Sequence, residues 1–138
     1  MRVVIDTNVL VAALRSRRGA SFRLVQKLGS PLFQPVVSPP LCLEYEDVLS
    51  RPGLLPDYGQ QDLDAFLDYF LSQCTECRIY FLWRPRLPDR KDDLLLELAL
   101  AGGATYIITH NTRDFRGAES LGIRPVTPDE FLGILFDP

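Results

Sequence analysis

No apolar run in the sequence approaches the roughly 18 residues that a membrane-spanning helix requires. The first apolar stretch is broken early by Asp6, which argues against a signal peptide, so a cytoplasmic chain without membrane contact is expected. Histidine is almost missing, with His110 alone. Cysteine is scarce and odd in number: Cys42, Cys74 and Cys77. An odd set without an export signal excludes a disulfide framework. Cys74-Thr-Glu-Cys77 has C-x-x-C spacing, but a structural zinc site needs about two more Cys or His ligands nearby. A redox pair would open a helix after a strand, whereas this one is expected to close a helix. Lysine occurs only as Lys27 and Lys91. Neither follows a late strand, which excludes a phosphoacceptor receiver domain. Excess positive charge is also lacking: the net charge is −3, which excludes a chain that coats nucleic acid by bulk charge. There is no internal repeat, linker or low-complexity segment.

The cations that are present are mostly arginine, thirteen against two lysines. They cluster at Arg15, Arg17, Arg18 and Arg23, at Arg84, Arg86 and Arg90, and at Arg113 and Arg116. Guanidinium groups bind phosphate in bidentate fashion, so these clusters are candidate phosphate contacts. A length of 138 residues suits one domain spanning 1–138 with a sizeable core. Short apolar runs alternate with amphipathic stretches, which indicates an α/β fold. Strands are expected at 3–5, 33–37, 78–82, 105–109 and 123–126. Helices are expected at 8–14, at 21–28 with Ser21 as cap, from Ser38 to about 50, and at 61–74, 92–100 and 128–136.

The acids fall at particular places on this frame. Asp6 directly follows the first strand. Glu44 lies about one turn into the helix after the second. Asp92 and Asp93 begin the helix before the fourth strand, and Asn111 and Asp114 follow that strand. In a parallel α/β sheet, strand C-termini and the N-termini of the connecting helices share one edge, where ligands bind. Carboxylates gathered there repel: two unit charges about 4 Å apart cost roughly 4 kcal/mol at an effective dielectric near 20. A hard divalent cation removes the conflict. Mg²⁺ or Mn²⁺ accepts such oxygen donors, and the shortage of His and Cys disfavours zinc. An acidic pocket holding such an ion suits phosphodiester hydrolysis.

The stretches V-I-D-T-N-V-L, D-D-L-L-L-E-L-A-L-A-G-G-A and Y-I-I-T-H-N-T-R-D-F, with a mid-chain Glu opening a helix, resemble the PIN-domain nucleases. Most of these are toxins of type II toxin–antitoxin pairs. The resemblance covers essentially the whole chain. It implies a three-layer α/β/α fold with a parallel sheet of about four or five strands, and Mg²⁺- or Mn²⁺-dependent cleavage of single-stranded RNA. It implies RNA and a cognate antitoxin as partners, and a homodimer in many relatives. Carried over by motif, the acids are Asp6, Glu44, Asp93 and Asp114, as metal ligands and catalytic groups. Thr7 and Asn8 would orient Asp6 or hold metal-bound water. Asp93 is favoured over Asp92 by its distance to Thr109 and by Glu97 one turn on, on the same face. Asn111 stands where many relatives carry Asp, which favours one firmly bound metal. Arg15, Arg90 and Arg113 are the expected contacts to substrate phosphate. The alternatives are an RNA-processing PIN nuclease without an antitoxin, and a catalytically weak PIN-like binding module.

Overall fold

The computed structural model describes residues 1–78, 87 and 89–136. A five-stranded sheet runs through it in the order β3-β2-β1-β4-β5, and all pairings are parallel. The strands are β1 (Arg2–Ile5), β2 (Gln34–Val37), β3 (Thr75–Glu76), β4 (Tyr106–Ile108) and β5 (Arg124–Val126). The described helices are α1 (Thr7–Arg15), α2 (Ala20–Gln26), α3 (Pro39–Leu49), α4 (Gln60–Ser72), α5 (Arg90–Gly102) and α6 (Pro128–Phe136). Two short 3₁₀ turns, Thr112–Phe115 and Ala118–Leu121, link β4 to β5. The architecture is the expected α/β one.

β1 is the middle strand, and its Val3, Val4 and Ile5 are fully or almost fully buried, as are Ile107 and Ile108 of β4. These near-continuous apolar runs are what a parallel strand covered on both faces requires. The register pairs Ile5 with Ile108, so the next residues, Asp6 and Thr109, emerge side by side. From β1 the chain builds outward to β2 and β3, then returns to the other flank of β1 for β4 and β5. The direction of winding therefore reverses beside β1. A crevice opens outside the strand C-termini at such a reversal.

Local signals explain most element ends. Ser38 caps α3, its Oγ accepting from the Leu41 N–H at 3.3 Å, with prolines in the first turn. Asp89 caps α5, its Oδ1 accepting from the Lys91 N–H at 2.8 Å. This starts α5 two residues before the expected Asp92. Gly103 closes α5 in the left-handed conformation, at φ 68°. Thr127 and Glu130 form a reciprocal capping box that opens α6. Ser21 is not a cap, because α2 begins at Ala20 after Gly19. Its hydroxyl instead lies 3.0 Å from His110 Nε2.

The third strand differs from expectation. It is Thr75–Glu76, which pairs with Val36 and Val37 of β2. The expected strand at 78–82 lies outside the described residues, except for Arg78, which is not in a strand. Arg84 and Arg86 also lie outside them. Cys74 and Cys77 therefore bracket a two-residue strand and do not close a helix. All three cysteines are free, and burial pushes the Cys74 thiol up to about 12, which keeps it an unreactive thiol.

The core is continuous beneath the crevice. Tyr45 on α3 is buried, its ring stands edge-on to Phe70 of α4, and its hydroxyl donates to the Ile5 carbonyl at 2.5 Å. That bond ties α3 to the end of β1 one residue before Asp6. Phe131 of α6 is fully buried against Phe33 and Tyr106, whereas Phe136 at the end of the helix is 56% exposed.

Candidate metal centre

Asp6 leaves β1 as the residue before α1. Its side chain makes no well-formed cap hydrogen bond to that helix, although the Thr7 and Asn8 N–H groups lie near its carboxylate. One carboxylate oxygen, Oδ2, instead accepts from Thr109 Oγ1 at 2.8 Å. Thr109 is fully buried and serves as a hub. Its Oγ1 also accepts from Asn8 Nδ2 at 3.3 Å and from the Asn111 N–H at 3.1 Å. Asn8 Oδ1 in turn accepts from the His110 N–H at 3.3 Å. A single hydroxyl thus connects the ends of β1 and β4 and fixes how Asp6 is presented.

A cavity of about 160 Å³ opens over this network. Asp6, Thr7 and Asn8 form one wall, and Glu44 from α3 reaches it. Asn111 and Asp114, from the turn after β4, line another side. The start of α5 contributes Asp92, together with Asp89 and Lys91. Four chain segments therefore converge at the C-terminal edge of the sheet, as their order along the chain implied.

The geometry separates the two adjacent aspartates at the start of α5. Asp93, the favoured third acid, does not line the cavity. It is buried, and its Oδ1 accepts from the Leu87 N–H at 2.9 Å. Neighbouring helical residues point about 100° apart, so with Asp93 turned inward its neighbour Asp92 takes the cavity side. Glu97 also lies outside the cavity lining. Arg15 lies in an adjoining groove of about 570 Å³ that shares Asp6, Thr7, Asn8 and Glu44 with the cavity, and its Nη2 donates to the Leu54 carbonyl. Arg90 and Arg113 are exposed and line neither space. Residue patterning passed over two participants, Thr109 and Lys91. A β-branched threonine at the end of an apolar strand reads as strand, and a lysine beside two aspartates reads as a solvated charge.

The electrostatics are those of crowded anions. Burial raises the Asp6 carboxyl, with Glu44 adding to the effect; the Thr109 hydroxyl and the N–H groups of Thr7 and Asn8 oppose it. Asp92 is pushed up to about 6, first by burial and then by the charges of Asp89, Asp114, Asp6 and Asp93. No group of three or more His, Cys, Asp or Glu residues among those described is arranged to hold a metal ion by itself. The donors are nevertheless all oxygen, and burial, with neighbouring carboxylates adding to it, raises Asp6 and Asp92. That set fits a hard divalent ion that keeps much of its own water and takes one or two carboxylates.

A pH-dependent result follows for chelator-treated protein. The raised Asp92 pKa means that its protonated form favours the fold below the ordinary carboxylate value, and that this gain is lost as pH rises through about 6. Asp92→Asn removes the ionised state. The variant is expected to melt higher than the wild-type chain at about pH 7.5, with the difference shrinking toward zero near pH 4. Scanning calorimetry at the two pH values checks this, and a difference that does not change with pH counts against the crowding.

The family model described as "PIN domain" matches residues 2–113. Solved structures share the fold. The crystal structure of VapBC2 from Rickettsia felis bound to a DNA fragment from their promoter is similar at a TM-score of 0.63 and 17% identity, covering 91% of this chain and 98% of that chain. The structure of VapBC-1 from nontypeable Haemophilus influenzae gives a TM-score of 0.59 at 13% identity, covering 94% and 99%. No curated protein matches the sequence.

Proposed function

This chain belongs to the PIN domain family, and from that premise we propose that it is a divalent-metal-dependent nuclease hydrolysing phosphodiester bonds of single-stranded RNA. The observation that carries the reading is the convergence of oxygen donors from four chain segments in one cavity at the switch point of the sheet. Asp6, Glu44, Asp92 and Asp114 would hold the ion, Mg²⁺ or Mn²⁺, directly or through water. When bound, it neutralises the acids, polarises the phosphate and lowers the pKa of a bound water.

The chain's own residues supply positioning. Thr109 holds Asp6 through the hydrogen bond to Oδ2. Asn8 and Asn111, which are neutral, add amide groups without adding to the repulsion. Asp114, which lines the cavity, would orient a water for in-line attack. The adjoining groove, with Arg15 and Arg51 among its lining residues and apolar Val11 and Val48 beside them, would take the flanking strand. Guanidinium groups beside an acidic centre suit a polyanion whose scissile phosphate alone meets the acids.

A role as the toxin of a toxin–antitoxin pair is supported by the fold shared with the VapBC structures, and the implied partner is a cognate antitoxin protein. Among the described residues no helix is long and apolar enough to cross a membrane. Purified protein is expected to cut a fluorogenic single-stranded RNA with Mg²⁺ or Mn²⁺ and to stop on addition of a chelator. Cleavage that persists in chelator overturns the metal-dependent reading.

A further inference from the structure

We propose that Lys91 is the resident counter-cation of the acid cavity: it neutralises Glu44 until a divalent ion claims that carboxylate, and its ammonium then turns to the substrate phosphate. The inference rests on the metal-dependent nuclease reading and adds a residue to it.

Lys91 Nζ stands 3.3 Å from Glu44 Oε1. Among the described residues that line the cavity, Lys91 is the one cation, against the carboxylates of Asp6, Glu44, Asp89, Asp92 and Asp114. Its backbone is anchored, since its N–H donates to Asp89 Oδ1 in the cap of α5. The side chain therefore pivots from a fixed point on the cavity rim. The pair is asymmetric: the Glu44 side chain is 21% exposed and the Lys91 side chain 57%. Glu44 is the covered partner on α3, and Lys91 is the one with solvent to move into. The chain's other lysine, Lys27, packs over the Phe136 ring, 5.3 Å from its centroid.

The residue type fits the task. In a chain that uses arginine for thirteen of its fifteen cations, a guanidinium here could clamp Glu44 with two parallel hydrogen bonds. An ammonium is a point charge on a flexible stem with three rotatable donors, and it releases one acceptor for another readily. A divalent ion and an ammonium compete for the same carboxylate oxygen, and like charge drives the lysine off as the ion enters. A phosphate oxygen drawn to the ion then offers it a new acceptor within reach of the same pivot.

The test is calorimetric titration of Mn²⁺ into metal-stripped protein, compared among the wild-type chain, Lys91→Met, Lys91→Arg and Arg90→Met, with circular dichroism confirming the fold of each. Removing the competing cation is expected to tighten Mn²⁺ binding about tenfold in Lys91→Met, the size of a one-unit charge–charge effect. Lys91→Arg keeps the competitor and binds Mn²⁺ no tighter than the wild-type chain. Arg90→Met, one residue earlier and outside the cavity lining, stays within about twofold. At saturating Mn²⁺, Lys91→Met is expected to show a KM for RNA raised about tenfold, despite its tighter metal. Equal Mn²⁺ affinity in the wild-type chain and Lys91→Met overturns this inference while leaving the nuclease reading intact. Tighter Mn²⁺ with unchanged KM overturns the phosphate half of it. Absence of Mn²⁺ binding in every protein overturns the metal reading and this inference with it.

Discussion

Replacing Asp6 by Asn is expected to cut metal-dependent RNA cleavage by roughly a thousandfold or more, about 4 kcal/mol of transition-state stabilisation. The substitution is nearly isosteric. An amide oxygen can still accept from Thr109 Oγ1, which now donates to Asp6 Oδ2 at 2.8 Å. The geometry at the end of β1 therefore survives, and what is lost is a negative charge in the cavity. Because burial already raises the Asp6 carboxyl, removing that charge does not cost stability. The expected signature is a lost initial rate on a fluorogenic RNA together with an unchanged or raised melting temperature. Activity within tenfold of the wild-type chain would remove Asp6 from the chemistry.

Asp92 and Asp93 are expected to behave oppositely although they are adjacent. Asp92 lines the cavity, so Asp92→Asn should lower cleavage at least a hundredfold, a loss of about 3 kcal/mol in the transition state, without lowering the melting temperature. Asp93 is buried and accepts from the Leu87 N–H. Asp93→Ala strands that donor, which costs about 1–3 kcal/mol of stability. Asp93→Asn keeps an acceptor and should retain both fold and most of the cleavage. Thermal melts and initial rates on the same preparations separate the two positions. An inactive Asp93→Asn with native stability, beside an active Asp92→Asn, would reverse the assignment.

The reason for the ambiguity at this pair lies in α5 itself. The run D-D-L-L-L-E-L-A-L-A is apolar at 94, 95, 96, 98, 99, 100 and 101, on nearly every side of the helix. A stripe that broad leaves the rotation of the helix open, because several phases bury almost equal apolar area. Packing on the sheet settles it. Leu95, Leu96, Leu98 and Ala99 are the buried set, and that phase turns Asp93 inward and Asp92 toward the cavity. α3 and α4 carry plainer local signals. A capping serine and two prolines mark the start of α3, and Leu63, Leu67 and Phe70 give α4 a narrow buried stripe. The two-residue β3 carries too few residues to show a period, and its place in the sheet comes only from pairing with β2.

The sequence by itself determined the class of the fold and the segments that meet. Apolar strands followed by polar triplets, and helices with strong caps, are local features, and the order of elements in a parallel sheet sends their polar ends to one edge. The tertiary structure alone decided which atoms face one another there: Asp92 rather than Asp93 lining the cavity, Thr109 holding Asp6, and Lys91 paired with Glu44. Those relations join residues up to 103 positions apart. They depend on strand register and helix rotation, which are set by burial summed over the whole core rather than by any residue's neighbours along the chain.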